Sequence, residues 1–254
     1  MKFQKPFFVA DTGFEAKQAM IKIQDKYDGF DMVNADVIVA LGGDGFMLDV
    51  LNEFQELDLP VYGINQGTVG FLMNQVTQGN LIEKLNRAEE SVIHPLKMSA
   101  TKLDGSLEEA LAINEVSLLR GGSQAAKLRI VVDDLVRLEE LVCDGALVST
   151  PAGSTAYNYS AHGPILPIGS NILALTAMAA FRPRRWRGAL IPAAAKIELH
   201  VEEPEKRPVS AFADSKEVKN VIRVKILSEE RICYRLLFDP GHGLQERILR
   251  EQFV

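Results

Sequence analysis

Apolar residues in the first third of the chain follow the strand period and the helix period in alternation. The run at 36–41 is continuously apolar after its first residue, which is typical of a strand buried on both faces. The predicted strands are 7–10, 36–41 and 60–64, and the predicted helices are 15–27, 46–57 and 80–91. Alternation of this kind predicts a parallel, Rossmann-like sheet covered by helices.

The pattern changes near residue 93. Short alternating or β-branched runs then predominate, and turn residues such as Asp133-Asp134 separate them. The predicted strands in this part are 128–132, 146–149, 196–201, 221–227 and 232–238, and two helical pieces are predicted at 154–161 and 171–181. Such a segment is typical of a mostly antiparallel β domain.

The fold class predicted for the chain is therefore α/β plus all-β. Residues 1–92 are expected to form a Rossmann-like N-terminal domain, and residues 93–238 a β-rich, β-sandwich-like C-terminal domain. A helical stripe of Leu244, Ile248 and Leu249 near the C-terminus cannot form a core alone. We therefore expect the segment 239–254 to join the N-terminal domain.

Composition and charge narrow the class of protein. Hydrophobic residues make up 47% and charged residues 24% of the 254 residues, as in an ordinary soluble enzyme. The net charge of -6 argues against a nucleic-acid partner, and no stretch approaches the roughly 20 apolar residues that cross a membrane. Two cysteines indicate neither a disulfide framework nor a metal site. We expect a cytoplasmic protein without a protein-bound metal.

The segment Gly42-Gly43-Asp44-Gly45 directly follows the predicted strand at 36–41. Ligands bind at the carboxyl ends of strands in open α/β sheets, and glycines allow a phosphate to approach the backbone closely. Asp44 places a negative charge where an anion should bind. We therefore expect it either to bind a metal ion or to accept a proton from an attacking hydroxyl. For this loop alone, a tight turn without function is the alternative.

Three later segments carry the remaining candidate chemistry. The segment 63–72 has three glycines in eight residues, which indicates a bent backbone that a ligand can approach. The adjacent amide and carboxylate of Asn114-Glu115 are suited to ribose hydroxyls or a base edge. The segment 144–160 enters a short predicted helix rich in hydroxyl groups, for which Ser154 offers an N-cap. Each segment alone is also compatible with a structural role.

In this order and at these separations, the four segments resemble the NAD kinase family. The family pattern comprises GGDG, a GxNxGxxGFL loop, an Asn-Glu pair and a DG…STPxGSTAY segment, and the chain is similar to it from about Asp36 to Asp214. The resemblance implies the same two-domain architecture with a last helix returning to the first domain. It also implies an NAD kinase activity. The γ-phosphoryl group of ATP, or a group from inorganic polyphosphate as the alternative donor, would pass to the adenosine-ribose 2′-hydroxyl of NAD and give NADP.

The resemblance further implies a role for individual residues. Asp44 would accept the proton of the 2′-hydroxyl, and Asp144 is similar to a carboxylate that reaches the nicotinamide end, often from a neighbouring subunit. A homodimer or homotetramer is implied, and Mg²⁺ or another divalent cation would accompany ATP. The implied ATP-facing residues are Gly42, Gly43, Gly67 and Gly70, and the implied NAD-binding residues are Asp44, Gly45, Asn114, Glu115, Asp144, Ala152, Thr155, Ala156, Tyr157, Asn158, Tyr159, Ser160, Ala179 and Lys216.

Three positions depart from the family pattern, and two other functions share part of it. Val142 stands where many members have arginine, Lys216 stands in place of a glutamine, and the surroundings of Met178 lack prolines. One alternative function is a lipid kinase with the same GGDG loop, and the other is a non-catalytic dinucleotide sensor. The Asn114-Glu115 pair favours a dinucleotide over a lipid, and Asp44 favours catalysis over sensing.

Overall fold

The computed structural model describes residues 2–67, 70–76 and 79–253. The chain divides into two compact units, of which the first comprises Met1–Ile93 with Ile232–Val254 and the second comprises His94–Arg231. No helix in the described ranges is both long enough and apolar enough to cross a membrane.

Helices are concentrated in the first and last parts of the chain, whereas strands occur along most of its length. The helices are α1 (Phe14–Gln24), α2 (Asp44–Glu53), α3 (Leu81–Arg87), α4 (Tyr157–Ser160) and α5 (Leu244–Glu251), with short 3-10 turns at Met32–Asn34, Gln55–Leu57 and Ala152–Thr155. The strands are β1 (Pro6–Ala10), β2 (Val37–Gly42), β3 (Val61–Asn65), β4 (Glu89–Ile93), β5 (Leu96–Lys102), β6 (Leu107–Ala112), β7 (Glu115–Arg120), β8 (Ala126–Val132), β9 (Leu135–Cys143), β10 (Gly145–Ser149), β11 (Ile172–Met178), β12 (Gly188–Pro192), β13 (Ile197–Val201), β14 (Val209–Ala213), β15 (Lys216–Val218), β16 (Val221–Ser228) and β17 (Tyr234–Phe238).

The first unit contains a sheet in the order β1-β2-β3-β17-β4. The strands β1, β2, β3 and β17 are parallel, and β4 is antiparallel to β17. All six residues of β2 are buried, as expected for a β-branched strand covered on both faces. Helix α2 begins immediately after it, so the sheet fixes the position of the helix N-terminus.

Strand β17 corrects the predicted domain boundary. The predicted β-rich domain includes the run 232–238, whereas its strand pairs with β3 and β4 in the first unit. A strand pattern identifies the secondary structure but not the sheet that the strand joins, which explains the error. The last helix, α5, also lies in this unit, where Arg247 donates to the carbonyl oxygens of Gly70, Phe71 and Met73.

The second unit consists of two antiparallel sheets in the orders β12-β11-β10-β7-β14-β15 and β6-β5-β16-β13-β8-β9. One continuous cluster of buried apolar side chains contains residues of both, among them Met98 of β5 and Leu118 of β7. Two sheets that share a core in this way form a sandwich. The predicted β-rich fold is therefore confirmed.

Three of the predicted helices are wrong in whole or in part, namely those at 80–91, 154–161 and 171–181. Residues 171–181 contain strand β11 instead, because a short apolar run carries the same signal for a buried strand and a buried helix. The helix at 80–91 ends at Arg87, and the chain continues as β4. Residues 154–161 contain part of a 3-10 turn and the single helical turn α4.

Asn74 links two strands of the first sheet through its side chain. Its Nδ2 donates to the carbonyl oxygens of Gly63 in β3, at 3.1 Å, and Leu237 in β17, at 2.9 Å. Its Oδ1 accepts the N–H of Asp239 at 2.9 Å, and the residue is 1% exposed. Because β3 and β17 share a register of only two residue pairs, the amide completes their connection.

Replacing Asn74 with alanine should therefore lower the free energy of unfolding by about 2–4 kcal/mol, because three buried hydrogen bonds are lost at once. Urea denaturation followed by circular dichroism measures the change. Asn34→Ala at an exposed position serves as the control and should cost less than about 0.5 kcal/mol. Equal midpoints for the two variants would contradict the role assigned to Asn74.

Candidate functional site

The carboxylate of Asp44 is held by the backbone of the glycine-rich segment that follows β3. Its Oδ2 accepts the N–H of Phe71 at 2.6 Å, and its Oδ1 accepts the N–H of Leu72 at 3.0 Å. Asp44 is the first residue of α2, whose N-cap Gly43 makes no side-chain capping bond. The free N–H groups of this first turn favour an anion nearby.

Only glycine fits at position 70, because the backbone there lies against the carboxylate of Asp44. A Cβ atom on this residue would lie 2.2 Å from Oδ1 of Asp44, which is closer than two such atoms can approach. The glycine therefore allows the 70–72 backbone to approach the carboxylate. Thr68 and Val69 of the same predicted loop lie outside the described residues.

A cavity of about 660 Å³ opens beside Asp44 in the first unit. The structure brings together there the four glycines that were predicted to handle phosphate, whereas Gly45 is exposed. The lining residues are Asp11, Gly13, Phe14, Glu15, Ala16, Gly42, Gly43, Asp44, Gln66, Gly67 and Gly70. Sequence reasoning missed Asp11 and Glu15, although Asp11 follows a predicted strand and the rule for strand ends would have indicated it.

A second cavity of about 1140 Å³ adjoins the first and shares Phe14, Glu15, Gln66 and Gly67 with it. Three lysines, Lys22, Lys26 and Lys84, lie along it. Their positive charge is suited to an extended anion, and no pattern in the sequence had indicated these lysines.

In the second unit, the predicted Asn114-Glu115 pair meets the end of β10. Thr150 donates its hydroxyl to the carbonyl oxygen of Ile113 at 2.8 Å, and its N–H donates to the carbonyl oxygen of Asn114 at 2.9 Å. A Cβ atom on Gly153 would lie 2.2 Å from the Asn114 carbonyl oxygen. Close packing of these backbones places the amide-carboxylate pair beside the 152–160 segment.

The carboxyl group of Glu115 is desolvated. Burial, together with the nearby carboxylate of Asp214, raises the pKa of Glu115 from 4.5 to about 8, and the N–H of Tyr157 opposes that rise by donating to the carboxyl group. Among the described residues, the buried Oε2 of Glu115 has no hydrogen-bond partner. An unpartnered buried oxygen of this kind is suited to a hydroxyl group supplied by a ligand.

Asp214 holds the backbone of the same pair. Its carboxylate accepts the N–H groups of Ile113, Asn114 and Glu115 at 2.7, 2.9 and 3.2 Å. Burial raises the pKa of Asp214, and these three donors oppose the rise. The sequence motif did not show that Asp214 supports the site rather than facing its ligand.

The residues of the 152–160 segment differ in their exposure to solvent. Thr155 and Ala156 are partly exposed, Tyr157, Tyr159 and Ser160 are exposed, and Ala152 is buried beside them. Asn158 is predicted to contact NAD directly, whereas the structure places it inside the protein, where it is fully buried. Its Nδ2 donates to the carbonyl oxygens of Ser154 and Pro164, and its Oδ1 accepts the hydroxyl of Thr176.

Ser154 is not the predicted N-cap. Its hydroxyl donates to the carbonyl oxygen of Pro151 at 2.7 Å and accepts the N–H of Leu166 at 3.0 Å, and the residue is fully buried. The N-cap of α4 is Ala156, without a side-chain bond. Ser154 therefore fixes the loop from inside.

Not every predicted residue joins this cluster. Asp144 and Ala179 lie at the opposite end of β10, roughly 16 Å of strand away from Glu115. There Asp144 accepts a hydrogen bond from Nε of Arg120 at 2.7 Å. Lys216 stays at the Glu115 end, in β15, and its Nζ donates to the carbonyl oxygen of Glu109 at 3.0 Å.

Within the described ranges, no group of three or more His, Cys, Asp or Glu side chains has an arrangement that would hold a metal ion. The carboxylates nearest to the 660 Å³ cavity are those of Asp11, Glu15 and Asp44.

Two sequence families match consecutive parts of the chain. The ATP-NAD kinase N-terminal domain matches residues 4–92, and the ATP-NAD kinase C-terminal domain matches residues 113–227. Among curated proteins, the chain is 59% identical to an NAD kinase of Cereibacter sphaeroides (strain ATCC 17025), with 99% of both chains covered. It is 55% identical to an NAD kinase of Hyphomonas neptunium, with 97% of both covered.

Two solved structures share the fold. An NAD kinase from Archaeoglobus fulgidus in complex with ATP superposes with a TM-score of 0.76 at 24% identity, covering 98% of this chain and 97% of that one. A yeast NADH kinase complexed with NADH superposes with a TM-score of 0.81 at 21% identity, covering 100% and 88%.

The raised pKa of Glu115 predicts a pH-dependent stability. In the unliganded protein, Glu115 takes up a proton on folding between its unfolded pKa of 4.5 and its folded pKa of about 8. Its contribution to stability is therefore complete below pH 4.5 and is lost as the pH rises towards 8. Glu115→Gln should remove this loss and, relative to the wild type, stabilise the protein by about 1–3 kcal/mol more at pH 8 than at pH 5.

Urea denaturation at pH 5 and pH 8 measures the difference. Glu108→Gln, at a partly exposed carboxylate paired with Lys102, is the control and should leave the difference between the two pH values small. A constant offset between Glu115→Gln and the wild type at both pH values would show that Glu115 does not change its protonation on folding.

Proposed function

The chain belongs to the ATP-NAD kinase family, and we propose that it transfers the γ-phosphoryl group of ATP to the adenosine-ribose 2′-hydroxyl of NAD, giving NADP. The observation that carries the proposal is the carboxylate of Asp44 beside a glycine-lined cavity at the end of a buried strand. The full-length identity of 59% to an NAD kinase supports the same reaction.

In this proposal, Asp44 accepts the proton of the 2′-hydroxyl. A sugar hydroxyl is a poor nucleophile, and a carboxylate is only a modest base. The gain in rate therefore comes from the position of the carboxylate and from a proton transfer that occurs late in the reaction. The hydrogen bonds from Phe71 and Leu72 hold the carboxylate in one orientation. General-base assistance of this kind contributes about 10² to 10⁴ in rate.

We assign the phosphate chain of ATP to the 660 Å³ cavity, where Gly42, Gly43, Gly67 and Gly70 leave room for oxygens near backbone N–H groups. A divalent cation such as Mg²⁺ enters with ATP as part of the substrate, and oxygen ligands like those of Asp11 and Glu15 suit it. The lysines of the adjoining cavity supply positive charge to the donor. Inorganic polyphosphate is the alternative donor, and an assay with each donor separates them.

For NAD we propose two sets of contacts, each described within its own unit: Asp44 and Gly45 in the first unit, and the Glu115 cluster in the second. The unpartnered Oε2 of Glu115 would accept a ribose hydroxyl, which satisfies a group that is otherwise buried alone. Asn114 and Tyr157 would complete this surface. The remaining assigned contacts are Ala152, Thr155, Ala156, Tyr159, Ser160 and Lys216, while Asn158 acts from inside the scaffold.

Asp144 and Ala179 form a separate part of the proposed NAD surface. Because they lie at the far end of β10 from Glu115, we propose that they contact the nucleotide of a neighbouring copy in a homodimer or homotetramer. The proposed site is then shared between protomers. The reaction is assigned to the cytoplasm, where ATP and NAD are both present.

Replacing Asp44 with asparagine keeps the size of the side chain but should lower kcat roughly several hundredfold, because the amide cannot accept the proton and its NH2 group cannot accept one of the two N–H groups that hold the carboxylate. A coupled assay for NADP gives kcat, and calorimetric titration with NAD gives the affinity, which should change less than about threefold. Asp49→Asn is the control, since Asp49 lies exposed on the same helix. Near-normal turnover in Asp44→Asn would remove this residue from the chemistry.

Mixing two inactive variants tests the shared site. Asp44→Asn and Asp144→Ala chains, denatured together and refolded, should recover activity, because one site of each mixed dimer carries an intact Asp44 and an intact Asp144 from the other protomer. Random mixing into dimers restores about a quarter of the sites. Activity that stays at the level of the separate variants would show that Asp144 serves its own chain or none.

A further inference from the structure

Two consecutive peptide groups separate Asp44 from the guanidinium of Arg247. In the first, the carbonyl oxygen of Gly70 accepts from Nη1 of Arg247 at 3.1 Å, and the N–H of Phe71 donates to Oδ2 of Asp44 at 2.6 Å. In the second, the carbonyl oxygen of Phe71 accepts from the same Nη1 at 3.1 Å, and the N–H of Leu72 donates to Oδ1 of Asp44 at 3.0 Å. Cation and carboxylate therefore hold opposite ends of the same two peptides.

Arg247 is itself fixed at several points. Its Nη1 also donates to the carbonyl oxygen of Met73 at 2.6 Å, and its Nε donates to that of His242 at 2.8 Å. The guanidinium lies 5.0 Å from the centre of the Phe238 ring, within the range of a cation–π interaction. Within the described residues it forms no salt bridge, so its donors are directed to backbone carbonyls.

We propose that Arg247 is a positioning residue for Asp44, acting through the peptide groups 70–71 and 71–72. The inference rests on the proposed function, since it concerns the orientation of the catalytic carboxylate. It assigns to the C-terminal helix α5 a part in catalysis, although Arg247 itself touches no reacting atom.

The physical basis is the polarisation of a peptide between two charges. A charged donor on the carbonyl oxygen increases the dipole of the peptide and strengthens the hydrogen bond that its N–H donates. The rigid guanidinium also holds Nη1 against the loop carbonyls while its Nε donates to the carbonyl oxygen of His242, at a smaller entropic cost than a flexible ammonium. Burial lowers the pKa of Arg247, and the carboxylates of Asp44 and Asp239 oppose that change. The cation is therefore held in a partly desolvated place next to the loop.

The test compares Arg247→Met with Arg250→Met in the full-length enzyme. Arg250 lies on the same helix, is exposed, and pairs with Glu246. We expect Arg247→Met to lower kcat at least about tenfold while the KM for NAD changes less than about threefold, because the carboxylate is misaligned but substrate contacts stay. Hydrogen exchange at Phe71 and Leu72 should accelerate. Arg250→Met should leave kcat, KM and exchange unchanged.

Two further variants keep the inference falsifiable. Arg247→Lys retains the charge, but a single ammonium cannot donate to the loop carbonyls and to the carbonyl of His242 in the same fixed geometry, so we expect a kcat between the wild type and Arg247→Met; this variant decides the question if the methionine variant does not fold. Asp44→Asn is assayed in parallel. If Asp44→Asn is inactive while folded Arg247 variants keep wild-type kcat and exchange, the positioning role is overturned. If Asp44→Asn is active, the proposed function fails instead.

Discussion

Complete burial of strand β2 is the constraint on which the first unit depends. A strand packed on both faces is held in its register, because a shift would break that packing and leave cavities or overlaps in the core. Its carboxyl end is therefore a fixed point, and helix α2 begins there with Asp44 in its first turn. The catalytic carboxylate proposed for this chain thus stands at the end of a fully buried strand rather than on a free loop.

Two carboxylates, one in each unit, have opposite surroundings. Both oxygens of Asp44 accept backbone N–H groups, which hold the carboxylate in one orientation. Within the part of the chain that the structure describes, the buried Oε2 of Glu115 has no hydrogen-bond partner, and burial raises the pKa of this carboxyl group to about 8. The first arrangement suits a proton acceptor that is ready before substrate binds. The second suits a group whose bonding is completed by the substrate, so that binding relieves a cost present in the free protein.

Elements whose signal is local are predicted from the sequence, and those that depend on distant partners are missed. The β-branched run of β2, the glycine loop after it and the β-rich second half follow from periodicity and turn residues. A helix is predicted in place of strand β11 because a short, mostly apolar run fits both structures. The motif also does not distinguish Asn158 from its exposed neighbours, although the side-chain amide of Asn158 is buried and makes its hydrogen bonds within the protein. Arg247 carries no motif at all, since the loop carbonyls that it contacts are more than 170 residues away in the chain.

The segment between Gly67 and Leu72 connects donor and acceptor chemistry within a few residues. Gly67 and Gly70 line the cavity assigned to phosphate, while the next two N–H groups hold Asp44. A phosphate that displaces Gly70 must therefore move the peptide that orients the carboxylate, because the carbonyl of Gly70 and the N–H of Phe71 belong to one rigid plane. Arg247 resists that displacement from the other side. If the proposed phosphate site is correct, the backbone that binds the phosphate is therefore the same backbone that aligns the proton acceptor.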